Sequence, residues 1–102
     1  MIEKDYLISP AARQDLVDIH DYISQESPQN AMKVINKIEN VFEMIACHPE
    51  VGHKRSDLSN QPVLFWTVYS YLIVYRHTRG NSVEFVRILN GYRDIVSILK
   101  TQ

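Results

Sequence analysis

Apolar residues recur at helical spacing through the first half of the chain and at strand spacing through the second. Ala12, Leu16, Ile19 and Ile23 follow steps of four, three and four, while Arg13, Gln14, Asp18 and Asp21 fall elsewhere on the wheel. That pattern predicts an amphipathic helix over about residues 10–25. Ser9-Pro10 supplies its start, because a serine oxygen can accept a free amide of the first turn and the fixed φ of proline suits the first helical position. The same signal returns at Ser27-Pro28, and Ala31, Ile35, Ile38, Phe42 and Ile45 then follow steps of four, three, four and three. A second helix runs to about Cys47 and stops before Pro49, which disfavours helix in the residue ahead of it. So short a link makes the two helices an antiparallel hairpin. Ahead of them, Tyr6-Leu7-Ile8 reads as a brief strand.

After residue 62 the period changes. Val63 to Tyr69, Tyr71 to His77 and Val83 to Leu89 are rich in β-branched and aromatic residues, with breaks at Ser70 and at Thr78-Arg79-Gly80-Asn81. Three antiparallel strands are predicted. A turn at Gly80-Asn81 pairs Arg76 with Phe85 and Val74 with Arg87, placing both arginines on one face with Leu72, Val74, Val83 and Phe85. The other face carries Tyr71, Ile73, Tyr75 and His77 with Glu84, Val86 and Ile88. Both faces are largely apolar, so alternation does not say which one the helices cover. Past Asn90-Gly91, the segment Tyr92 to Leu99 has helical spacing at Ile95, Ile98 and Leu99. The fold class is therefore α+β: an N-terminal strand, an antiparallel helical hairpin packed on a small, mostly antiparallel sheet, and a short C-terminal helix.

Composition adds bounds. With 102 residues, 45% hydrophobic and 23% charged, residues 1–102 read as one domain able to build its core without disulfides. The lone Cys47 fits a reducing cytoplasm. No apolar run approaches the length of a membrane span, and the charged Met1 to Asp5 stretch is not a signal peptide.

Charge is divided along the chain. Residues 1–51 carry four Lys/Arg against nine Asp/Glu, a net −5, whereas residues 52–102 carry seven against three, a net +4. A basic second half points to an anionic partner, nucleic acid or an acidic protein. Cleaving RNA through a 2′-hydroxyl requires a base, an acid and cations around the phosphate. Arg76, Arg87, Lys54, Arg55 and Arg93 can supply the cations, and His53, His77 and Tyr92 are candidates for base or acid. No lysine lies between Lys54 and Lys100, which argues against an efficient nuclease.

Structural roles compete for the same residues. Arg87, inside an apolar strand, can pair with Asp57 or Asp94, and Arg93-Asp94 can be a local pair at a helix start. Tyr69, Tyr71 and Tyr75 read as sheet packing rather than base-stacking platforms. His20 and His48 have no partner at metal-ligand spacing, so no metal site is expected. Cys47, at a helix end where the dipole disfavours a thiolate, is not expected to be a nucleophile.

Several segments together resemble a known family. Tyr6-Leu7-Ile8-Ser9-Pro10-Ala11-Ala12 with Asp15-Leu16, Ile19 and Tyr22-Ile23 opens the chain. His48-Pro49-Glu50-Val51-Gly52-His53-Lys54-Arg55-Ser56-Asp57-Leu58 forms the long loop, Tyr71 to Arg76 a strand, and Val86-Arg87-Ile88-Leu89-Asn90-Gly91-Tyr92-Arg93-Asp94-Ile95 the end. In this order and spacing the chain resembles the ParE/RelE superfamily of bacterial toxin-antitoxin toxins, and more closely its ParE, or plasmid stabilisation, branch.

The resemblance implies a stable toxin neutralised by a labile, ParD-like antitoxin that folds on binding. ParE-like toxins poison DNA gyrase, whereas RelE-like toxins of the same fold cut mRNA in the ribosomal A site. The expected activity is gyrase inhibition by binding, with target contacts at Arg55, Arg76, Arg87, Tyr92 and Arg93. The alternative is a ribosome-dependent mRNA endonuclease using Tyr92, His53 and Arg87. An antitoxin helix is expected along the hairpin at Leu16, Ile19, Ile23, Ile35 and Phe42. Neither a cofactor, a membrane nor sequence-specific DNA binding by this chain is expected.

Overall fold

The computed structural model describes residues 6–91 and 93–100. Strand β1 (Tyr6–Ile8) leads into α1 (Pro10–Ser24) and α2 (Pro28–Cys47), and a 3-10 turn at Pro49–Val51 opens the long loop. Strands β2 (Leu64–Val68), β3 (Tyr71–His77) and β4 (Val83–Asn90) follow, then the short α3 (Ile95–Lys100). Both helix starts are built as the sequence predicts. Ser9 Oγ accepts from the Ala12 amide at 3.0 Å and Ser27 Oγ from the Asn30 amide at 3.2 Å, each with proline next in the chain. The segment opening at Tyr92 begins as helix only at Ile95, and Tyr92 itself lies outside the described residues.

The sheet order is β1-β4-β3-β2. β2–β3 and β3–β4 are antiparallel, and β1 runs parallel to β4 at the far edge, through Tyr6↔Val83, Leu7↔Glu84 and Ile8↔Phe85. The two ends of the domain are thus stitched by one short strand pair.

The β3–β4 register departs from the sequence expectation. Val74 does face Arg87, but Arg76 faces Glu84 rather than Phe85, because a β-bulge separates the Val74↔Arg87 and Tyr75↔Phe85 pairs. β4 spends one residue more than β3 there, Val86, and an extra residue reverses the two-residue alternation beyond it. Val83 and Phe85 consequently join Ile73, Tyr75 and Ile88 on the face covered by α1 and α2, together with Ala12, Ile19, Ile38, Phe42 and Ile45. Leu72, Val74 and Leu89 occupy the other face, closed by Val63, Phe65 and, from α3, Ile95 and Leu99.

An aromatic cluster locks the hairpin to the sheet. Phe42 stacks on Phe85 with centroids 4.0 Å apart, and Tyr6 meets both rings edge-on at 5.8 and 5.3 Å. Such pairs contribute roughly 1 kcal/mol each beyond their buried area. Tyr75 is fully buried beside them; its hydroxyl donates to the Pro49 carbonyl at 2.7 Å and accepts from the Gly52 amide at 2.8 Å, tying the loop to the core. No helix among the described residues is long and apolar enough to cross a membrane.

Candidate functional site

Where β1 ends, α1 takes over the edge of β4. The Ser9 amide donates to the Phe85 carbonyl at 3.0 Å, and the Ser9 hydroxyl donates to the Val86 carbonyl at 2.8 Å. Six residues further along the chain, Asp15 Oδ2 accepts from the Ile88 amide at 2.9 Å. The same carboxylate is gripped by Arg87, Nε to Oδ2 at 2.8 Å and Nη2 to Oδ1 at 2.9 Å. The Arg87 and Asp15 side chains are only 14% and 7% exposed. Hydrogen bonding to Asp15 raises the Arg87 pKa further above its ordinary value. A pair for Arg87 is legible in the sequence, but its partner is Asp15, neither Asp57 nor Asp94.

The other arginines divide in the same terms. Arg76 bonds Glu84 across the β3–β4 ladder, with Nη2 at 2.6 Å from the carboxylate. Arg55 grips Asp57 within the loop at 2.8 and 3.0 Å, which lowers the Asp57 pKa. Arg93 is exposed, and its side chain forms no ion pair among the described residues. Its neighbour Asp94 is occupied otherwise. Asp94 Oδ2 accepts the Ser97 hydroxyl at 2.8 Å and Oδ1 the Ser97 amide at 3.3 Å, capping α3. The local Arg93-Asp94 pair is therefore replaced by a helix cap.

A cleft of about 430 Å³ opens between the β2–β3 turn, the long loop and the start of α3. Of the predicted contact residues it brings together Arg55 and Arg93; Arg76 and Arg87 stand outside it, and Tyr92 lies outside the described residues. Tyr69 and Tyr71 line the same cleft. Tyr69 is not sheet packing: β2 stops at Val68 and β3 starts at Tyr71, leaving Tyr69-Ser70 as a two-residue turn with Tyr69 62% exposed. The closely spaced Val68 and Tyr71 around Ser70 carried that signal in the sequence.

Of the nuclease set, His53 and Arg87 stand apart. His53 bridges to Phe65 on the outer edge of β2 by two backbone bonds, 2.8 and 2.9 Å, and its ring lies parallel to Trp66. Arg87 is on β4, with β3 and β2 in between, so about 14 Å of strand spacing separates the two residues. His77, at the end of β3, is exposed. No group of three His, Cys, Asp or Glu among the described residues is arranged to hold a metal ion, and Cys47 is exposed at the end of α2.

On the hairpin, the predicted stripe turns inward. Ile19 and Phe42 are buried against the sheet, and Leu16, Ile23 and Ile35 are half-buried beside them. Ile19 and Phe42 thus present no surface to a partner. Val17, Tyr22 and Met32 are the exposed apolar residues of the hairpin, at 50, 73 and 52%. They sit between the stripe positions, which is why a periodicity argument passes them over.

Residues 6–95 match the family model of the ParE toxin of type II toxin-antitoxin system, parDE. The chain belongs to the ParE toxin family. Among solved structures it is similar to a chain described as "Chromosomal ParDE TA system from P. aeruginosa", with a TM-score of 0.67 at 23% identity. That match covers 85% of this chain and 96% of the other, so the ParE fold extends over nearly the whole of both. No curated protein matches the chain. Within this ParE toxin the paired arginines hold elements together, and the cleft around Arg93 sets an arginine without an ion pair among the described residues beside Tyr69 and Tyr71.

Proposed function

We propose that this ParE toxin acts by gripping a protein target, DNA gyrase, rather than by cutting RNA, and that a cognate ParD-like antitoxin neutralises it by folding onto the exposed flank of the hairpin. The observation that carries this reading is the state of the cations. Phosphoryl chemistry draws on several open cations converging with a base and an acid. Here Arg55, Arg76 and Arg87 are each held by an internal carboxylate, and His53 stands across the sheet from Arg87. An open arginine beside the exposed Tyr69 and the half-buried Tyr71 is instead the composition of a protein-binding hot spot. Antitoxin capture is supported by Val17, Tyr22 and Met32, exposed apolar side chains that an amphipathic helix can cover.

The deciding experiment is a gyrase supercoiling assay with purified toxin, alone and with its antitoxin. Inhibition relieved by antitoxin is expected. Absence of inhibition by folded protein, with cleavage of mRNA in a translating extract, is the result that would replace this reading with the nuclease one.

A further inference from the structure

We infer that the cleft between the Tyr69-Ser70 turn and the start of α3 receives a short acidic segment of the toxin's target protein, one carboxylate forked on the Arg93 guanidinium and its neighbouring side chain packed on the Tyr69 ring. This rests on the reading that the chain acts by gripping a protein.

Arg93 differs from the other arginines expected to contact the target; Arg13 and Arg79 are also exposed without an ion pair among the described residues, but neither lines this cleft. Arg55, Arg76 and Arg87 each have a carboxylate at 2.6 to 2.8 Å, whereas Arg93 has none among the described residues. Asp94 does not neutralise it, because both carboxylate oxygens are turned to Ser97. A guanidinium offers a planar fork of donors matched to a carboxylate, and among the described residues no carboxylate fills this one.

Tyr69 supplies the second observation. Its φ of 55° places it in the left-handed region, the only described non-glycine residue there. A bulky aromatic is strained at such a position, where Gly or Asn is the ordinary choice. The residue nevertheless stands 62% exposed on a tight hairpin. Strain of this kind persists where the side chain it presents is used. Leu72 and Ile95 line the same cleft, so a partner meets an apolar surface beside the charge.

The occupant follows from charge. A nucleic-acid backbone needs a row of open cations, each neutralising a phosphate. One open fork, with Asp94 on the same wall, suits a single carboxylate and repels a polyanion. The cleft is walled by α3 and by Leu72, which belongs to the face turned away from the hairpin, while Arg93 and Tyr71 also border a groove with Tyr22 of α1, so an antitoxin seated over Tyr22 lies against the rim of the cleft.

The test uses the full chain labelled with nitrogen-15, titrated with a blocked pentapeptide, Leu-Glu-Tyr-Glu-Leu, with its glutamine counterpart, and with a short single-stranded RNA. The acidic peptide is expected to shift the Ser70 and Gly91 amides and the Arg93 side-chain N–H, and to bind roughly tenfold more tightly than the glutamine version. Arg93→Gln should lose that preference. Tyr69→Gly should melt no lower than wild type, because glycine relieves the strain, yet bind the peptide several-fold more weakly. RNA shifting these resonances more strongly than the peptide, or no peptide shift at all, overturns the inference.

The same variants are then expressed in cells and assayed on gyrase. Arg93→Gln should arrest growth weakly while still binding antitoxin. If Arg93→Gln inhibits gyrase as wild type does, the cleft inference fails and the gyrase reading stands. If wild type leaves gyrase untouched but binds the peptide, the cleft stands and the target is another acidic protein.

Discussion

Arg87 and Asp15, 72 positions apart in the chain, form a two-bond pair at 2.8 and 2.9 Å that fastens α1 to the unpaired edge of β4. Asp15 also accepts the Ile88 amide, so one carboxylate satisfies a sheet edge and a guanidinium at once. The arrangement follows from the shortness of β1. Three residues of strand cover β4 only as far as Phe85, and the backbone groups beyond need other partners, which Ser9 and Asp15 provide.

Breaking this pair from one side leaves a charge in a mostly buried position. Arg87→Ala should destabilise the fold by about 3 kcal/mol, towards the low end for a broken buried pair. Asp15→Asn, which keeps an acceptor for the Ile88 amide, should be milder. Urea unfolding midpoints at unchanged m-value report both. Equal losses in the two variants would show that a neutral amide at position 15 retains nothing of the pair with Arg87. Charge reversal at Arg87 accordingly reports on folding, while reversal at Arg93 reports on contact with a partner.

The two helix caps should differ in worth. Ser27 caps α2 alone, at an exposed position, whereas Ser9 caps α1 and also donates to Val86 on β4. Ser27→Ala should cost about 0.5 to 1 kcal/mol and Ser9→Ala about 1.5 to 2 kcal/mol, the second figure adding a lost tertiary hydrogen bond to a lost cap. Parallel denaturation curves of the two variants decide it; equal costs would mean the Val86 bond is energetically idle.

Gly52 and Tyr75 should be coupled. A methyl group at residue 52 runs into the Tyr75 hydroxyl and ring, so Gly52→Ala must push the loop off the core. Tyr75→Phe removes the hydroxyl and leaves the Pro49 carbonyl and Gly52 amide without it, a loss of about 1 to 2 kcal/mol. The double variant should lose less than the two single losses added together, because the clash and the hydrogen bond share one atom. Strict additivity in a double-mutant cycle would contradict that geometry.

Acid should release the start of α3 late. Hydrogen bonds from the Ser97 hydroxyl and amide favour the charged form of Asp94 and hold its pKa below the ordinary aspartate value. The pKa being depressed in the folded state, the stability the cap contributes is fully present above the unfolded value near 4 and is lost as pH falls through the folded one. The Ser97 amide resonance, followed on acidification, should therefore move at a lower pH than that of an unhindered aspartate. Asp94→Asn should remove that titration.

Much of the fold is local, and local features were readable. The Ser-Pro starts, the stop ahead of Pro49 and the four-and-three spacing fixed α1 and α2 to within a residue, because capping and amphipathicity act within a few positions of the chain. The strands were placed by β-branched and aromatic runs, and the resemblance to ParE toxins was carried by short segments in order. What only the tertiary structure decided depends on encounters between distant residues. The Val86 bulge reversed the faces of Val83 and Phe85, which strict alternation had put with Val74. Its trace in the sequence is the adjacent apolar pair Phe85-Val86, a mark that a buried two-faced strand also leaves. Partner choice among the arginines was likewise beyond a one-dimensional reading. Asp15 reaches Arg87 only because α1 crosses the open edge of β4, and Arg93 stays open because Asp94 is spent on capping α3. Charge type is written in the sequence, but whether a charge is neutralised depends on which carboxylate the packed elements carry to within 3 Å of it.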